Sequence, residues 1–488
     1  MGGIGQLHQQ VTIGTLSDDD LLRIFKSFID ALDFYVTGSQ KWATLVHVCR
    51  RWRDLAFTSP RHLNLQLLCQ PPYRSVRDML DIWPEWPIYV HDFDYKARDD
   101  VIAALKLNHR VSGIRLDKAF VPGWQTFKPL MQQPFPALTH LWILQPFYSI
   151  ENAISRPFLG GSAPSLRSLI LLEASFPALP ELLLSTTNLV HLEYNDIPES
   201  GYISPEAMLT SLSTLTRLKI LSLTFRSPQT LLDWEIRIPP PDTRTLLPAL
   251  IYLRLKGDPE YVEDLVAQID APLLECIQIT LFHQEVLEVS QLAKFVRRAA
   301  KLSLADRAEV RFDSDRISVT LSQERMITIV GPKTFVLKPA CRERSGDSRL
   351  SYVAQFCASC LPTFAPFEHL HIRVPSYPSW HDVIDDQPAQ WLEFLHLFNT
   401  VKDLRVSQTV APCVAQALRG LPAERITEVL PALESVFISR LEAFGSVKEA
   451  ISEFADMRQL SGHPVSISDW ETREWSPFSS WDRTVDDW

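Results

Sequence analysis

A short apolar phrase recurs along most of this chain and constrains its fold more than any other feature. The phrase is six residues long, and apolar residues occupy its first, fourth and sixth positions. The copies are Leu138–Ile143, Leu166–Leu171, Leu189–Tyr194, Leu218–Leu223, Leu250–Leu255, Leu274–Ile279, Phe367–Ile372, Val401–Val406 and Leu433–Ile438. The first six start at residues 138, 166, 189, 218, 250 and 274, so the steps run from 23 to 32 residues. Such a period predicts stacked units, each covered only by its neighbours, that together bury a continuous core.

The phrase resembles the strand of the leucine-rich repeat, and the segments between copies read as helices or loops. That family normally places Asn three positions after the last apolar residue. Here those positions hold Pro146, Ala174, Ile197, Arg226, Asp258 and Phe282. We therefore expect an irregular, leucine-rich-repeat-like α/β solenoid over residues 136–461. Unrelated α/β layers with coincidental apolar runs are the alternative.

Two regions depart from the repeat. Between residues 307 and 337 the segments Glu309–Phe312, Ile317–Leu321 and Met326–Val330 alternate apolar and polar residues, which predicts antiparallel strands forming an insertion or a sheet extension. Residues 462–488 form an acidic tail with tryptophans at positions 470, 475, 481 and 488. We expect its first aromatics to pack on the last repeat.

The first seventy residues have a different, helical character. Ser17 is placed to cap the start of a helix, and Asp20 lies at the capping-box position. Apolar residues follow at helical spacing from Leu21 to Leu32. A second helix is predicted over 40–57. We assign residues 11–70 to a small helical module and 71–135 to a connecting region that includes the start of the array. Because Pro71 and Pro72 suggest a boundary, residues up to about 72 are expected to be removable.

Within this module, the segments Leu16–Phe25 and Trp42–Ala56 resemble the F-box, most specifically in the run Val48–Arg53. The resemblance implies a small orthogonal helical module that docks on a Skp-type linker of a cullin-RING ubiquitin ligase. The family usually has Pro where Ser17 stands, and the spacer between the helices is longer here. The docking residues carried over by position are Leu16, Leu21, Ile24, Phe25, Leu45, Val48, Cys49 and Trp52.

Further phrases at 307–310, 427–433 and 459–465 extend the likeness to a fungal F-box family with a C-terminal leucine-rich-repeat-like domain. The function implied is a non-catalytic, substrate-recruiting adaptor of an SCF-type ligase. Ile24, Phe25, Val48 and Trp52 are then expected on the linker-facing surface. The alternative is an interaction scaffold in which the two helices only cap the solenoid. Nucleic-acid binding through Arg50, Arg51 and Arg53 is a weaker reading.

The composition narrows the partners further. Lys and Arg number 48 and Asp and Glu 58, which gives a net charge of −10 and argues against nucleic acid as the main partner. Met1 to Gln10 lacks a basic and an apolar signal region, and the 7 cysteines are sparse. Reduced thiols in the cytosol or nucleus are expected, as is no membrane association.

The sequence contains no recognisable catalytic or cofactor motif, so we expect neither an enzyme nor a cofactor. His369 and His371 lie two apart on a predicted strand and could share a metal with a third ligand, but this spacing is also that of ordinary exposed strand residues, which is the interpretation we favour. Cys357 and Cys360 form a C-x-x-C without a second pair, which favours helical thiols over a zinc site.

The repeat phrase also predicts where a target protein would bind. Residues between its apolar positions point to the opposite side of each strand. Stacking would align them on one face, and solenoids bind partners through such faces. The candidates for target binding are Trp142, His191, Glu193, Tyr252, Arg254, His371 and Arg405. The sequence identifies no target.

Overall fold

The structure is a computed structural model of the 488-residue chain. It describes residues 13–30, 44–60, 62–63, 67–69, 86–92, 98–116, 124–144, 153–154, 156–226, 244–282, 290–299, 305–312, 317–328, 331–339, 349–360, 367–374, 387–441 and 445–470. The chain divides into two compact units, residues 1–174 and 175–488.

The helices and strands are numbered here in chain order. The α-helices are α1 Asp18–Asp30, α2 Arg50–Thr58, α3 Arg98–Leu105, α4 Trp124–Met131, α5 Leu179–Leu183, α6 Pro205–Leu212, α7 Pro259–Ala267, α8 Ser290–Arg298, α9 Arg349–Cys360, α10 Pro388–His396, α11 Ala411–Arg419 and α12 Gly445–Leu460. Short 3-10 helices are Ile13–Thr15, Phe158–Gly161, Glu199–Gly201 and Ala423–Arg425. The strands are β1 Leu67–Cys69, β2 Ile88–Asp92, β3 Val111–Leu116, β4 His140–Leu144, β5 Ser168–Leu172, β6 His191–Ile197, β7 Ile220–Phe225, β8 Thr245–Leu246, β9 Tyr252–Gly257, β10 Ile269–Asp270, β11 Cys276–Leu281, β12 Arg307–Phe312, β13 Ile317–Thr328, β14 Gly331–Pro339, β15 His369–Arg373, β16 Asp403–Val406, β17 Ser435–Ser439 and β18 Ser466–Trp470.

The first unit begins with α1, whose start the sequence predicted. The Ser17 hydroxyl oxygen accepts the backbone N–H of Asp20 at 3.1 Å, and the hydroxyl donates to the Asp20 carboxylate at 2.6 Å. Three aspartates in the first turn suit the positive end of the helix dipole. On the buried side of the helix, Leu21 and Phe25 are fully inaccessible to solvent.

The second helix differs from its prediction. Instead of one helix over 40–57, the described chain is interrupted at Cys49, whose backbone is extended with φ −157° and ψ 171°, and α2 begins at Arg50. The guanidinium of Arg53 donates to the carbonyl of Val46, close to this interruption, at 2.9 Å. Val48 and Cys49 therefore lie in a bend rather than on a helix face.

The rest of the first unit is a parallel sheet in the order β1-β2-β3-β4-β5. The core of the helical module is continuous with this sheet, because Leu67 of β1 and Trp86 next to β2 belong to the same buried cluster as Leu21 and Phe25. Strand β1 lies inside the span assigned to the helical module. Whether residues up to 72 can be removed stays a prediction, but their removal would take β1, including Leu67, out of this shared cluster.

The second unit carries a mostly parallel sheet in the order β6-β7-β9-β11-β14-β13-β12-β15-β16-β17-β18, and a separate pair of β8 with β10. Seven of its strands carry the repeat phrase, namely β6, β7, β9, β11, β15, β16 and β17. The residues at the apolar positions, for example Leu253 and Leu404, are buried, while those between them are mostly half-exposed. A mixed α/β architecture with a leucine-rich-repeat-like parallel sheet is therefore confirmed. Three of the positions that lack Asn hold Ala174, Ile197 and Phe282, which are themselves buried.

The region with period-two alternation extends the sheet. Strand β13 is antiparallel to both β12 and β14, whereas β14 is parallel to β11 and β12 is parallel to β15. The predicted third segment, 326–330, belongs partly to β13, and the third strand starts at Gly331. Residues 466–470, which were assigned to the tail, form β18 and pair with β17.

Some prolines of the second unit have a structural role at the starts of helices. Pro lies at the first or second position of α5, α6, α7, α10 and α11. The fixed φ of proline suits this position, and the N–H that proline lacks would have no hydrogen-bond partner within the helix there.

Polar groups also link successive helices. The carboxylate of Glu263 on α7 accepts the N–H groups of Gln291 and Leu292 at 2.7 and 2.9 Å, which caps α8 from the preceding helix.

Candidate functional site

The residues proposed to dock a linker fall into two groups in the structure. Leu21, Phe25 and Leu45 are buried in the core of the helical module. The ring of Trp52 packs against Phe25, with centroids 4.7 Å apart, and Leu16 and Trp52 are half-buried. The expectation that Phe25 lies on the linker-facing surface is therefore wrong, because its side chain fills the space between α1 and α2.

The second group is exposed. Ile24 is 45% exposed and Val48 59%, and Cys49 is also exposed. Ile13, which is 56% exposed, was not singled out from the sequence, and Phe28 was counted in the apolar stripe of the first helix, although it is 42% exposed. The spacing of four residues between Ile24 and Phe28 could have indicated a shared helix face. We call Ile13, Ile24, Phe28 and Val48 the exposed apolar set of the module.

The arginines of this segment hold the module together. Nε and Nη2 of Arg51 donate to the carboxylate of Asp18 at 3.0 and 2.7 Å, and Nη2 donates to the carbonyl of Leu16 at 2.7 Å. Arg53 is engaged by the carbonyl of Val46. These contacts join α2 to the start of α1 and to the bend before it. Two of the three arginines considered for nucleic acid thus have structural partners.

Of the target-binding candidates, Trp142 lies in the first unit. It is half-exposed on β4, next to Arg115 on β3, and the Arg115 guanidinium carbon lies 3.8 Å from the indole centroid. This cation–π contact covers part of the ring with the protein's own side chain. The site at Trp142 is therefore an indole–guanidinium pair rather than an isolated aromatic.

Four candidates come together in the second unit on β6 and β9. His191 shares a register row with Tyr252, and Glu193 with Arg254, with β7 between them. Nε2 of His191 lies 2.6 Å from Glu193, whose other carboxylate oxygen accepts from Asn195 at 3.1 Å. Burial raises the pKa of Tyr252, and the positive charge of Arg254 offsets only part of that effect. We call the side of this sheet that carries these residues the open face.

His371 and Arg405 form another cluster on the open face, on the neighbouring strands β15 and β16. His371 was expected to be exposed, but it is 3% exposed because the ring of Trp470 on β18 covers it, with centroids 5.0 Å apart. The guanidinium carbon of Arg405 lies 5.1 Å from the ring centroid of Phe437 and 5.8 Å from that of Trp470. Sequence patterns did not reveal that Trp470 reaches this far across the sheet.

One carboxylate belongs to this cluster and was also missed. Oε2 of Glu309 lies 3.7 Å from Nδ1 of His371, which is longer than a typical hydrogen bond. Burial raises the pKa of Glu309, but its contact with His371 and the charges of Arg373 and Arg311 outweigh that effect and lower it. Glu309 is therefore ionised at neutral pH.

The structure also bears on metal and membrane sites. His369 pairs with Asp403 at 2.9 Å, and Cys357 is buried in α9. Across the described ranges, no cluster of three or more His, Cys, Asp or Glu side chains could hold a metal ion. In that same part of the chain, no helix has both the length and the apolar character needed to cross a membrane.

Comparisons with known proteins show no family. No protein-family model matches the sequence, and no curated protein matches it. Among solved structures, the leucine-rich repeat-containing protein LegL7 from Legionella pneumophila is similar over 67% of this chain and 94% of its own length. The identity is 11% and the TM-score 0.26, which is too distant a likeness to carry a functional inference.

Proposed function

We propose that this chain is a substrate-recruiting F-box adaptor of an SCF-type (cullin-RING) ubiquitin ligase that acts in the cytosol or nucleus. The helical module docks on a Skp-type linker, and the leucine-rich-repeat-like sheet binds a target protein. The protein contributes no catalytic group and no cofactor. The observation that carries the proposal is the exposed apolar set of the module, in a segment whose sequence resembles the F-box.

The division between buried and exposed residues supports this role. Leu21, Phe25 and Leu45 lie in a buried core, while Ile24 and Val48 are exposed. Of the eight large apolar side chains that are exposed among the described residues, four lie within residues 13–48. Exposed apolar residues concentrated on one small module favour a protein partner over a purely structural role.

The test is capture of a purified Skp-type linker by the full-length chain. The double variant Ile24→Ala, Val48→Ala removes two exposed anchors, and buried interface anchors typically contribute about 2 kcal/mol each. We expect the linker affinity to fall more than tenfold with no change in the unfolding midpoint. The matched control is Leu184→Ala, Leu273→Ala, which truncates two exposed leucines of the second unit. Equal capture by the double variant and the wild type would contradict the proposed docking surface.

A second function is favoured by one specific observation. Leu67 and Trp86 share the module's core, so the two helices also cover the first strands of the sheet. This packing supports an interaction scaffold whose helices serve as a cap. A chain that binds no Skp-type linker but still captures target proteins through its open face would support the scaffold.

A further inference from the structure

Two neighbouring strands of the second unit, β9 and β11, present four polar side chains on the open face. Arg254 is in register with Gln278, and Lys256 is in register with Thr280. All four side chains are half-exposed. We call these four residues the donor patch, because each carries N–H or O–H groups that can donate hydrogen bonds and none carries a carboxylate.

Strand β7 closes one side of the donor patch. Ser222 and Thr224 lie in the same two register rows, and both are buried. The hydroxyl of Ser222 donates to Oδ1 of Asn195 at 2.7 Å, and the hydroxyl oxygen of Thr224 accepts the backbone N–H of Asp196 at 2.9 Å. These two hydroxyl groups are therefore used within the chain, and the accessible donors are those of β9 and β11.

The charge of Arg254 has no counter-ion in the described part of the chain. Its guanidinium makes no hydrogen bond or ion pair to another described residue. Glu193 of β6 shares its register row but lies two strand steps away, about 10 Å at the usual spacing between strands. The carboxylate of Glu193 is already bound by His191 and Asn195, at 2.6 and 3.1 Å. Because a half-buried guanidinium has lost part of its hydration, an external carboxylate would stabilise it.

The other three residues of the donor patch are also available to a ligand. The ammonium of Lys256 lies 3.8 Å from Asp196, but both side chains are partly exposed, and ion pairs of this kind contribute little to stability. Across the described ranges, the side chains of Gln278 and Thr280 form no hydrogen bond to another residue. The patch therefore offers two cations and two neutral donors to an acceptor from outside.

The spacing of the two cations matches an extended peptide. Arg254 and Lys256 are two residues apart on one strand, so their side chains leave the same side of the sheet about 7 Å apart. Alternate side chains of an extended peptide have the same separation. Two cations suit the few carboxylates of a short acidic segment, whereas a nucleic acid requires a longer stripe of positive charge.

We propose that the donor patch binds an extended acidic segment of a partner protein, with carboxylates at alternate positions paired to Arg254 and Lys256. Gln278 and Thr280 donate hydrogen bonds to the same carboxylates. This inference rests on the proposed function, because the partner is the target that the open face recruits. It assigns the class of that target, which is a protein with Asp or Glu at every second position of an extended segment.

The test uses the full-length chain and a fluorescein-labelled peptide of six glutamates, with a peptide of six glutamines as the uncharged control. Fluorescence anisotropy at low ionic strength measures the affinity, since salt screens such contacts. The wild type should bind only the glutamate peptide. Arg254→Gln with Lys256→Gln should lower that affinity about tenfold. The matched control is Lys294→Gln with Arg297→Gln, which removes one exposed lysine and one exposed arginine from α8 and should leave the affinity unchanged. Equal affinities of the two variants, or no binding by the wild type, would overturn the proposal.

Charge reversal separates a lost site from a lost fold. Arg254→Glu with Lys256→Glu should bind a peptide of six lysines more tightly than the wild type does, and a misfolded chain would not gain this specificity. No gain by a variant that keeps the wild-type unfolding midpoint would contradict the assigned site. Tighter binding of an oligothymidylate than of the glutamate peptide by the wild type would assign the patch to nucleic acid and also overturn the proposal.

Capture of a Skp-type linker by the same samples distinguishes this proposal from the adaptor function. A chain that binds the glutamate peptide through the donor patch but captures no linker would contradict the adaptor function and support the acidic ligand. A chain that captures the linker but binds the glutamate peptide equally in all variants would overturn the acidic ligand alone.

Discussion

The ring of Phe57 meets the ring of Trp86 edge-on, with centroids 5.4 Å apart and planes at 69°. Phe57 belongs to the last turn of α2, and Trp86 immediately precedes the segment that enters β2. Trp86 is 2% exposed, so this contact closes the core that the helical module shares with the first strands. The module and the start of the sheet therefore fold as one hydrophobic cluster.

Phe57→Ala should destabilise this cluster. A fully buried Phe→Ala change costs about 3–5 kcal/mol, and because Phe57 is only partly buried we expect about 2 kcal/mol. The measurement is the urea unfolding midpoint of the full-length chain. Phe28→Ala in the same module is the control, and it should shift the midpoint little because Phe28 is exposed. Equal shifts for the two variants would show that the aromatic contact contributes no stability.

Removal of residues 1–72 should produce an aggregating protein. The deletion takes away β1, which leaves the edge of β2 and the side chain of Trp86 without their partners. Light scattering after purification measures the effect against the intact chain. A monomeric, soluble product would show that the module is separable after all.

Arg458→Met should be strongly destabilising. The Arg458 side chain is fully buried in α12, and its guanidinium donates to the carbonyls of Ile426, Pro431 and Leu433 at 3.4, 3.3 and 3.2 Å. Each buried carbonyl left without a donor costs about 1–3 kcal/mol, so a total loss of at least about 2 kcal/mol is expected.

The control for Arg458 is Arg419→Met on α11. It removes an exposed ion pair with Glu453 and should cost less than about 1 kcal/mol. Chemical unfolding of the two variants side by side makes the comparison. A larger loss from the exposed site would contradict the role assigned to Arg458.

Glu309 should make stability depend on acid pH. Its pKa is lowered in the folded state from a usual value of 4.5, so the folded chain binds fewer protons than the unfolded chain between the two pKa values. Its stabilising contribution is complete above pH 4.5 and is lost as the pH falls through the folded-state pKa. Unfolding midpoints of wild type and Glu309→Gln should therefore converge as the pH falls below 4.5 and through the lowered folded-state pKa of Glu309. Glu449→Gln, which removes an exposed carboxylate from α12, is the control, and a constant gap for Glu309→Gln would contradict the sign.

Target binding should depend on the open face. Tyr252→Ala with Arg254→Ala is expected to remove target proteins from the interactome of the full-length chain while linker capture is unchanged, since Tyr and Arg are frequent binding anchors. Arg217→Ala with Lys219→Ala, two exposed positions next to β7, should leave the target set intact. The same target set in both variants would rule out this part of the open face.

The repeat phrase was sufficient to predict the strands and their buried sides. Leu253 and Leu255 are buried because one side of each strand must be covered by its neighbours, and a period of two along the chain reveals this directly. The cap of α1 at Ser17 was equally predictable, because its hydrogen bond joins residues three apart. Both features leave a pattern that can be read within a few consecutive residues.

Only the tertiary structure decided which side chains remain exposed. Phe25 and Ile24 are neighbours with similar apolar character, yet Phe25 packs on Trp52 and Ile24 faces solvent. His371 carries the pattern of an exposed strand residue, but Trp470, about 100 positions later, covers it. Contacts between residues so far apart in the chain leave no periodic signal. The strands were therefore readable from the sequence alone, whereas the surfaces available to a partner were determined by packing between distant segments.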